Sequence, residues 1–245
     1  HDVHFLMRTD YEAVKKDGLR IEYWDEREVR LPEVQAYDDP KAIGPCDLVL
    51  IALKTTANEH MPKLVHPLVG SNTLLLTMQN GMGNAECLAE QFGAWRVLGA
   101  ICFISLNRVG HGHVLNLYDG YITLAEYQGG AQARTEALKS LFDAAGIRCD
   151  LRESLEESLW RKLCWNIPFN GLAIAGGGIS TQEILEQEGL AHEVWLLMKE
   201  VQAAADAHGF PIEEEFLEKQ IAVTRKMGAY KPSSVLDYLQ QRPVE

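Results

Sequence analysis

Residues 47–53 read DLVLIAL, and how that run is read decides the fold. Apolar side chains follow one another without the period of two of a half-exposed strand or the spacing of an amphipathic helix. Such a run is expected of a strand buried on both faces, as happens where crossover helices cover a parallel sheet. A second run, TLLLTM at 73–78, has the same character, and a helical stretch at 57–69 separates the two. Working outward, residues 3–7 read as a strand. A short helix should follow, capped by Asp10, running to Lys16 and closed by Gly18. Residues 19–24 and 28–34 alternate like an extra hairpin. Beyond 73–78 come the turn Gln79-Asn80-Gly81, a helix at 83–92, and strands at 96–103, 114–117 and 121–127. An amphipathic helix at 131–145, ended by Gly146, and a strand at 147–151 complete this half. Strands alternating with helices predict an α/β fold built on a Rossmann-like doubly wound parallel sheet.

The second half carries no comparable strand pattern. Residues 155–175 are helical, with a kink or break expected at Pro168. Ser180 and Glu183 have the spacing of a capping box. Long amphipathic helices are expected at 191–208, ended by Gly209, and at 211–227, with proline at its start. A short helix follows Ser233. The boundary is placed near Glu153, giving an α/β domain at 1–152 and an all-helical domain at 153–245.

Composition narrows the function classes. The 245 residues carry 23 Lys and Arg against 35 Asp and Glu, a net charge of −12. That balance argues against a nucleic-acid backbone or an anionic membrane surface as the main partner. No apolar run approaches the ~18 residues of a membrane span, and no signal-peptide pattern is present. The five cysteines are scattered and never form C-x-x-C, which points to reduced thiols in a cytoplasmic protein. Neither they nor the histidines cluster at metal-ligand spacing, so no metal site is expected.

In an open α/β sheet, ligands sit beyond the carboxyl ends of the strands. Arg8, Lys54 and Asn80 follow three of the predicted strands. A lone cation at a strand end is more often solvated surface, and Asn80-Gly81 is ordinarily a turn signal. Arg8 says more: where NAD is bound, an acid at the end of the second Rossmann strand holds the ribose hydroxyls, whereas an arginine accommodates the 2′-phosphate of NADP. If residues 3–7 are that strand, Arg8 predicts NADP(H). In the helical half, Lys162, Asn166 and Asn170 lie four apart and so share one helix face. The bland reading is a solvated helix edge. The chemical reading is an ammonium donor flanked by carboxamides, suited to a substrate with a polarised carbonyl and a carboxylate.

These motifs, taken in order, resemble the ketopantoate reductases. The resemblance runs through D-V-x-F-L-x-R at the start, A-L-K-T, Q-N-G-M-G and W-R-K-L-x-x-N-x-x-x-N, to P-S-S-V-L-x-Y-x-x-x-R-P-V-E at the end. It implies NADPH-dependent reduction of 2-dehydropantoate to pantoate, on the route to pantothenate and coenzyme A. Arg8 would contact the NADP 2′-phosphate, and Lys54 and Asn80 would be cofactor contacts, Asn80 also meeting substrate. Lys162 would be the general acid, and Glu245 a second catalytic group that holds and orients substrate. Asn166, Asn170 and Ser234 would position substrate, Ser234 through its carboxylate, with Ser233 the alternative hydroxyl. The family pattern also implies a strand and a G-x-G-x-x-G turn before His1, and further helices after Glu245. A small 2-oxo acid is thus the implied partner, with no nucleic acid or membrane, and a homodimer as a possible assembly. Two alternatives remain open: a reductase of another 2-oxo acid or an opine-type dehydrogenase, and a nucleotide-binding regulator without catalysis. Lys162, Asn166, Ser234 and Glu245 together argue against the second.

Overall fold

The computed structural model describes all of residues 1–245. It divides into two compact units. The first holds residues 1–53, 57–79 and 83–153, and the second holds 54–56, 80–82 and 154–245.

The first unit is Rossmann-like α/β. Its strands are β1 (His4–Leu6), β2 (Leu19–Tyr23), β3 (Glu28–Leu31), β4 (Gln35–Tyr37), β5 (Cys46–Ile51), β6 (Val69–Thr77), β7 (Val97–Gly110), β8 (His113–Glu126) and β9 (Cys149–Leu151). The helices are α1 (Tyr11–Asp17), α2 (Met61–Val65), α3 (Asn84–Phe92) and α4 (Ala133–Ala144). The main sheet runs β3-β2-β8-β7-β6-β5, with β9 also on β8, and β1 pairs with β4 in a separate two-stranded sheet. The α/β class is as expected, but the sheet is mixed. β5, β6 and β7 are parallel, as are β2, β8 and β9, whereas β7–β8 and β2–β3 are antiparallel.

Several local readings need correction, each for a physical reason. The separate short strands expected from 96 to 127 are two 14-residue strands of one hairpin. Its outer part mixes polar and apolar side chains, with Leu106, Val109, Leu117 and Tyr118 exposed, so no clean alternation marks it, and bulges near Ser105 and Arg108 shift the register. The DLVLIAL run does form a strand, yet β5 lies at the sheet edge and Leu50 is 50% exposed. The helix expected at 57–69 is broken into a 3₁₀ turn at Thr55–His60, α2, and a second 3₁₀ turn at His66–Leu68. Pro62 and Pro67 sit at the starts of the last two, where their missing N–H costs least. Asp10 stands at the N-cap of α1, but its side chain makes no capping bond. Leu76 of β6, Leu98 of β7, Leu124 of β8, and Leu138 and Phe142 of α4 pack into the core of this unit.

The second unit consists of α5 (Leu155–Ala175), α6 (Thr181–Glu186), α7 (Glu188–Ala207), α8 (Glu214–Lys226) and α9 (Ser233–Leu239), joined by the short segments 54–56 and 80–82. α5 runs through Pro168 without the expected break. Pro168 and its neighbour Phe169 are buried, and the packing of Phe169 with Cys164, Ala173, Ile184, Val194, Met198 and Leu217 holds the helix through the lost hydrogen bond. The Ser180–Glu183 capping box is present at α6. α8 begins at Glu214, beyond Pro211, and α7 begins earlier than its apolar pattern suggests. No helix is long and apolar enough to cross a membrane.

Candidate active site

Most of the candidate side chains meet within the second unit. α5 supplies Lys162, Asn166 and Asn170 from one face, because its apolar positions are spent on the opposite side against α7. The segment just beyond β6 supplies Asn80. Lys162 Nζ donates to Asn80 Oδ1 at 2.7 Å, which fixes the ammonium against a carboxamide. Gly81 follows with φ +80°, a left-handed value that lets the chain turn sharply there. Just before this turn, in the first unit, Gln79 enters a run of amides in which Gln79 and Asn84 are buried and Asn58 is half-buried. Gln79 Nε2 donates to Asn58 Oδ1 (2.7 Å), and Asn58 Nδ2 donates to Asn84 Oδ1 (2.8 Å).

Further along α5, Asn170 Nδ2 donates to Ser234 Oγ at 3.2 Å. Asn170 Oδ1 is buried without a partner. An unpaired buried acceptor costs about 1–3 kcal/mol, so it suits a site that receives a donor from a ligand. Ser234 is itself buried, whereas Ser233, the first residue of α9, is exposed.

Lys54 lies just beyond β5 and pairs with Asp237 of α9. The same carboxylate accepts from Arg242 Nε at 2.9 Å. Asp237 is 5% exposed while Lys54 is 47% exposed, so a buried anion holds two cations that face outward. Glu245 Oε1 accepts from the backbone N–H of Thr55, next to Lys54. Arg8 stands elsewhere, exposed after β1 in the first unit. Asn166 shares the face of Lys162 and Asn170 and is half-buried. The sequence reading missed Asp237, Arg242, Gln79 and the Asn58–Asn84 pair. A carboxylate inside the apolar S-S-V-L-D-Y-L helix was the one local signal for Asp237.

The donor set fits a nicotinamide dinucleotide and a 2-oxo acid. Within the first unit Arg8 is an exposed cation after β1 and α3 starts without a side-chain cap at Gly83, and within the second unit Asn80 and Gly81 add polar groups, the chemistry a phosphate-bearing dinucleotide calls for. Lys162 offers a proton donor to a carbonyl oxygen.

A Rossmann-like unit followed by a helical unit that sets an ammonium among carboxamides is the build of a two-part dinucleotide-dependent reductase. The chain belongs to the ketopantoate reductase family, PanE/ApbA: the family's model matches residues 1–129, and the model of its C-terminal part matches 154–245. It is similar to the 2-dehydropantoate 2-reductase of Nostoc sp., 39% identical over 249 residues, spanning 100% of this chain and 77% of the relative. The crystal structure of 2-dehydropantoate 2-reductase from Geobacter metallireducens is 41% identical with a TM-score of 0.96, covering 100% of this chain and 81% of that one. D-mandelate dehydrogenase, solved with NADH and anilino(oxo)acetate, shares the fold at 18% identity and a TM-score of 0.83, covering 96% of this chain and 76% of that one.

Proposed function

We propose that this chain reduces 2-dehydropantoate to pantoate with NADPH, Lys162 serving as the general acid. The observation that carries the reading is the Lys162–Asn80 hydrogen bond at 2.7 Å, with Asn166 and Asn170 aligned on the same helix face. NADPH, when bound, supplies the hydride to the C2 carbonyl. Negative charge then grows on the carbonyl oxygen, and Lys162 Nζ stabilises it and delivers the proton that makes the alcohol. Asn80 orients that ammonium through its side-chain oxygen. The carboxamides of Asn166 and Asn170 and the hydroxyl of Ser234 position the substrate, and Glu245 holds its polar end. The unpaired Asn170 Oδ1 suits a substrate that carries a hydroxyl donor besides its carbonyl and carboxylate, as 2-dehydropantoate does. Lys54, held out by Asp237, and Arg8 are assigned to the cofactor, Arg8 to its 2′-phosphate.

The test is steady-state oxidation of NADPH by the full-length protein with 2-dehydropantoate or pyruvate as acceptor. Turnover is expected with 2-dehydropantoate and poor with pyruvate, which lacks the hydroxyl and the branched carbon. Faster turnover of pyruvate would overturn the substrate assignment.

A further inference from the structure

Two residues beyond Arg8, at the N-cap of α1, stands an acid, Asp10. Each would read the adenosine ribose differently: a carboxylate takes the two hydroxyls of NAD and repels a 2′-phosphate, and an arginine takes the phosphate. The chain therefore carries both signals within one turn, and the fold must silence one of them.

It does so from the far end of the β7–β8 hairpin. Arg108 Nη1 donates to Asp10 Oδ1 at 2.7 Å and also to Thr9 Oγ1 at 3.1 Å. His111 Nδ1 meets the same carboxylate oxygen at 2.8 Å. The backbone N–H of Gly112 approaches Asp10 Oδ2 at 3.5 Å. Burial alone would raise the Asp10 carboxyl's pKa, but the His111 hydrogen bond and the Arg108 charge outweigh it and hold the group below the usual carboxylate range. The Asp10 side chain is 17% exposed, while that of Arg108 is 49% exposed.

The hairpin tip is built for close approach. Gly112 has φ +63°, and a Cβ there would lie 2.9 Å from the Gly18 carbonyl oxygen and 3.0 Å from Val14 Cγ2. The Gly112 carbonyl also accepts from Arg20 N at 2.8 Å. The tip is thus seated on α1 and β2, and it carries Arg108 and His111 to Asp10 with little freedom.

We propose that Arg108 and His111 set the cofactor preference: by occupying and neutralising Asp10 they withdraw the acid from the ribose and leave Arg8 to select the 2′-phosphate. The proposal rests on the dinucleotide reading above. In the charge balance Asp10 and Arg108 cancel, and Arg8 remains as the uncompensated cation.

Titration of the full-length protein by fluorescence tests this, with NADPH, NADH, adenosine 2′,5′-bisphosphate and adenosine 5′-phosphate as probes. The wild type is expected to favour both 2′-phosphorylated probes. Arg108→Ala with His111→Ala should reduce that preference about fivefold or more, as a partly buried like charge released beside a phosphate would. Adding Asp10→Asn should restore it, because no charge is left to neutralise. The milder Arg108→Gln should shift the preference in the same direction where the double variant melts too early to titrate. Equal loss for all four probes, or no rescue by Asp10→Asn, would overturn the proposal: the tip would then support only the fold, or Arg108 would meet the phosphate itself. A wild type that binds NADPH selectively, with an unchanged ratio in the variants, overturns the hairpin's role alone. A wild type with no 2′-phosphate preference overturns the Arg8 assignment together with it.

Discussion

Two buried carboxylates, one in each unit, are handled in opposite ways. Glu126, at the end of β8, is 1% exposed and is closed off on all sides. Arg134 Nε donates to it at 3.0 Å and the second guanidinium nitrogen meets its other oxygen, while the Thr135 hydroxyl adds a further bond. Asp237 is nearly as buried, but its partners Lys54 and Arg242 are 47% and 41% exposed. The first arrangement satisfies itself and ties α4 to the sheet. The second uses a buried anion to hold cations where something else can reach them. A polar network that closes inward satisfies itself, and one that opens outward leaves its cations within reach of a ligand.

The largest effects come from removing the proton donor of the candidate site in the second unit and, against it, one donor of the closed Glu126 network in the first. Lys162→Ala should lower kcat by about two to four orders of magnitude, the range spanned by positioned acid catalysis, and leave the melting temperature near wild type. A near-normal kcat would take Lys162 out of the chemistry. Arg134→Ala should do the converse. It leaves the Glu126 carboxylate buried with Thr135 alone, and breaking such a pair costs about 3 kcal/mol, measurable by urea denaturation. Turnover per folded molecule should be unchanged, and a loss of kcat without a loss of stability would erase the distinction between the two networks.

How much of this could be read in advance depends on sequence separation. The row Lys162, Asn166, Asn170 was legible because helical period places residues four apart on one face, and the structure keeps that face despite Pro168. The α/β class and the helical second half were legible from apolar periodicity. The hairpin β7–β8 was not, because its outer half mixes exposed apolar and polar side chains and is bulged, so it carries no steady alternation. The pairing of Lys54 with Asp237 spans 183 positions, and that of Arg108 with Asp10 spans 98. No local rule reports contacts of that range. Asp10 shows the cost of a good local rule: it has the position of a helix cap, but a stronger tertiary partner took its side chain.

A smaller effect sharpens the assignment of the first unit. Arg8→Ala should weaken NADPH by about 1.5–3 kcal/mol, the worth of a hydrogen bond to a charged group, and should barely change NADH, which has no 2′-phosphate. Isothermal titration with both cofactors measures the difference directly. Equal losses would place Arg8 on a part of the dinucleotide common to both.

The smallest effect concerns neighbouring hydroxyls. Ser234 is buried and accepts from Asn170 Nδ2 at 3.2 Å, while Ser233 is exposed at the start of α9. If Ser234 is the substrate hydroxyl, it must do two things at once: hold Asn170 and donate its own hydrogen to a carboxylate. The geometry permits this, since a serine hydroxyl accepts and donates together. Ser234→Ala would remove both, leaving the Asn170 carboxamide with neither nitrogen nor oxygen paired. The expected rise in KM for 2-dehydropantoate is about two- to tenfold, the net worth of one hydrogen bond, with a modest fall in melting temperature from the orphaned amide. Ser233→Ala should change KM less and stability not at all, because an exposed hydroxyl has water as its alternative partner. The reverse order, a KM defect in Ser233→Ala with only a stability defect in Ser234→Ala, would move substrate recognition one residue along the helix. Ser234 would then be a support for Asn170, an inward-closing contact of the Glu126 kind.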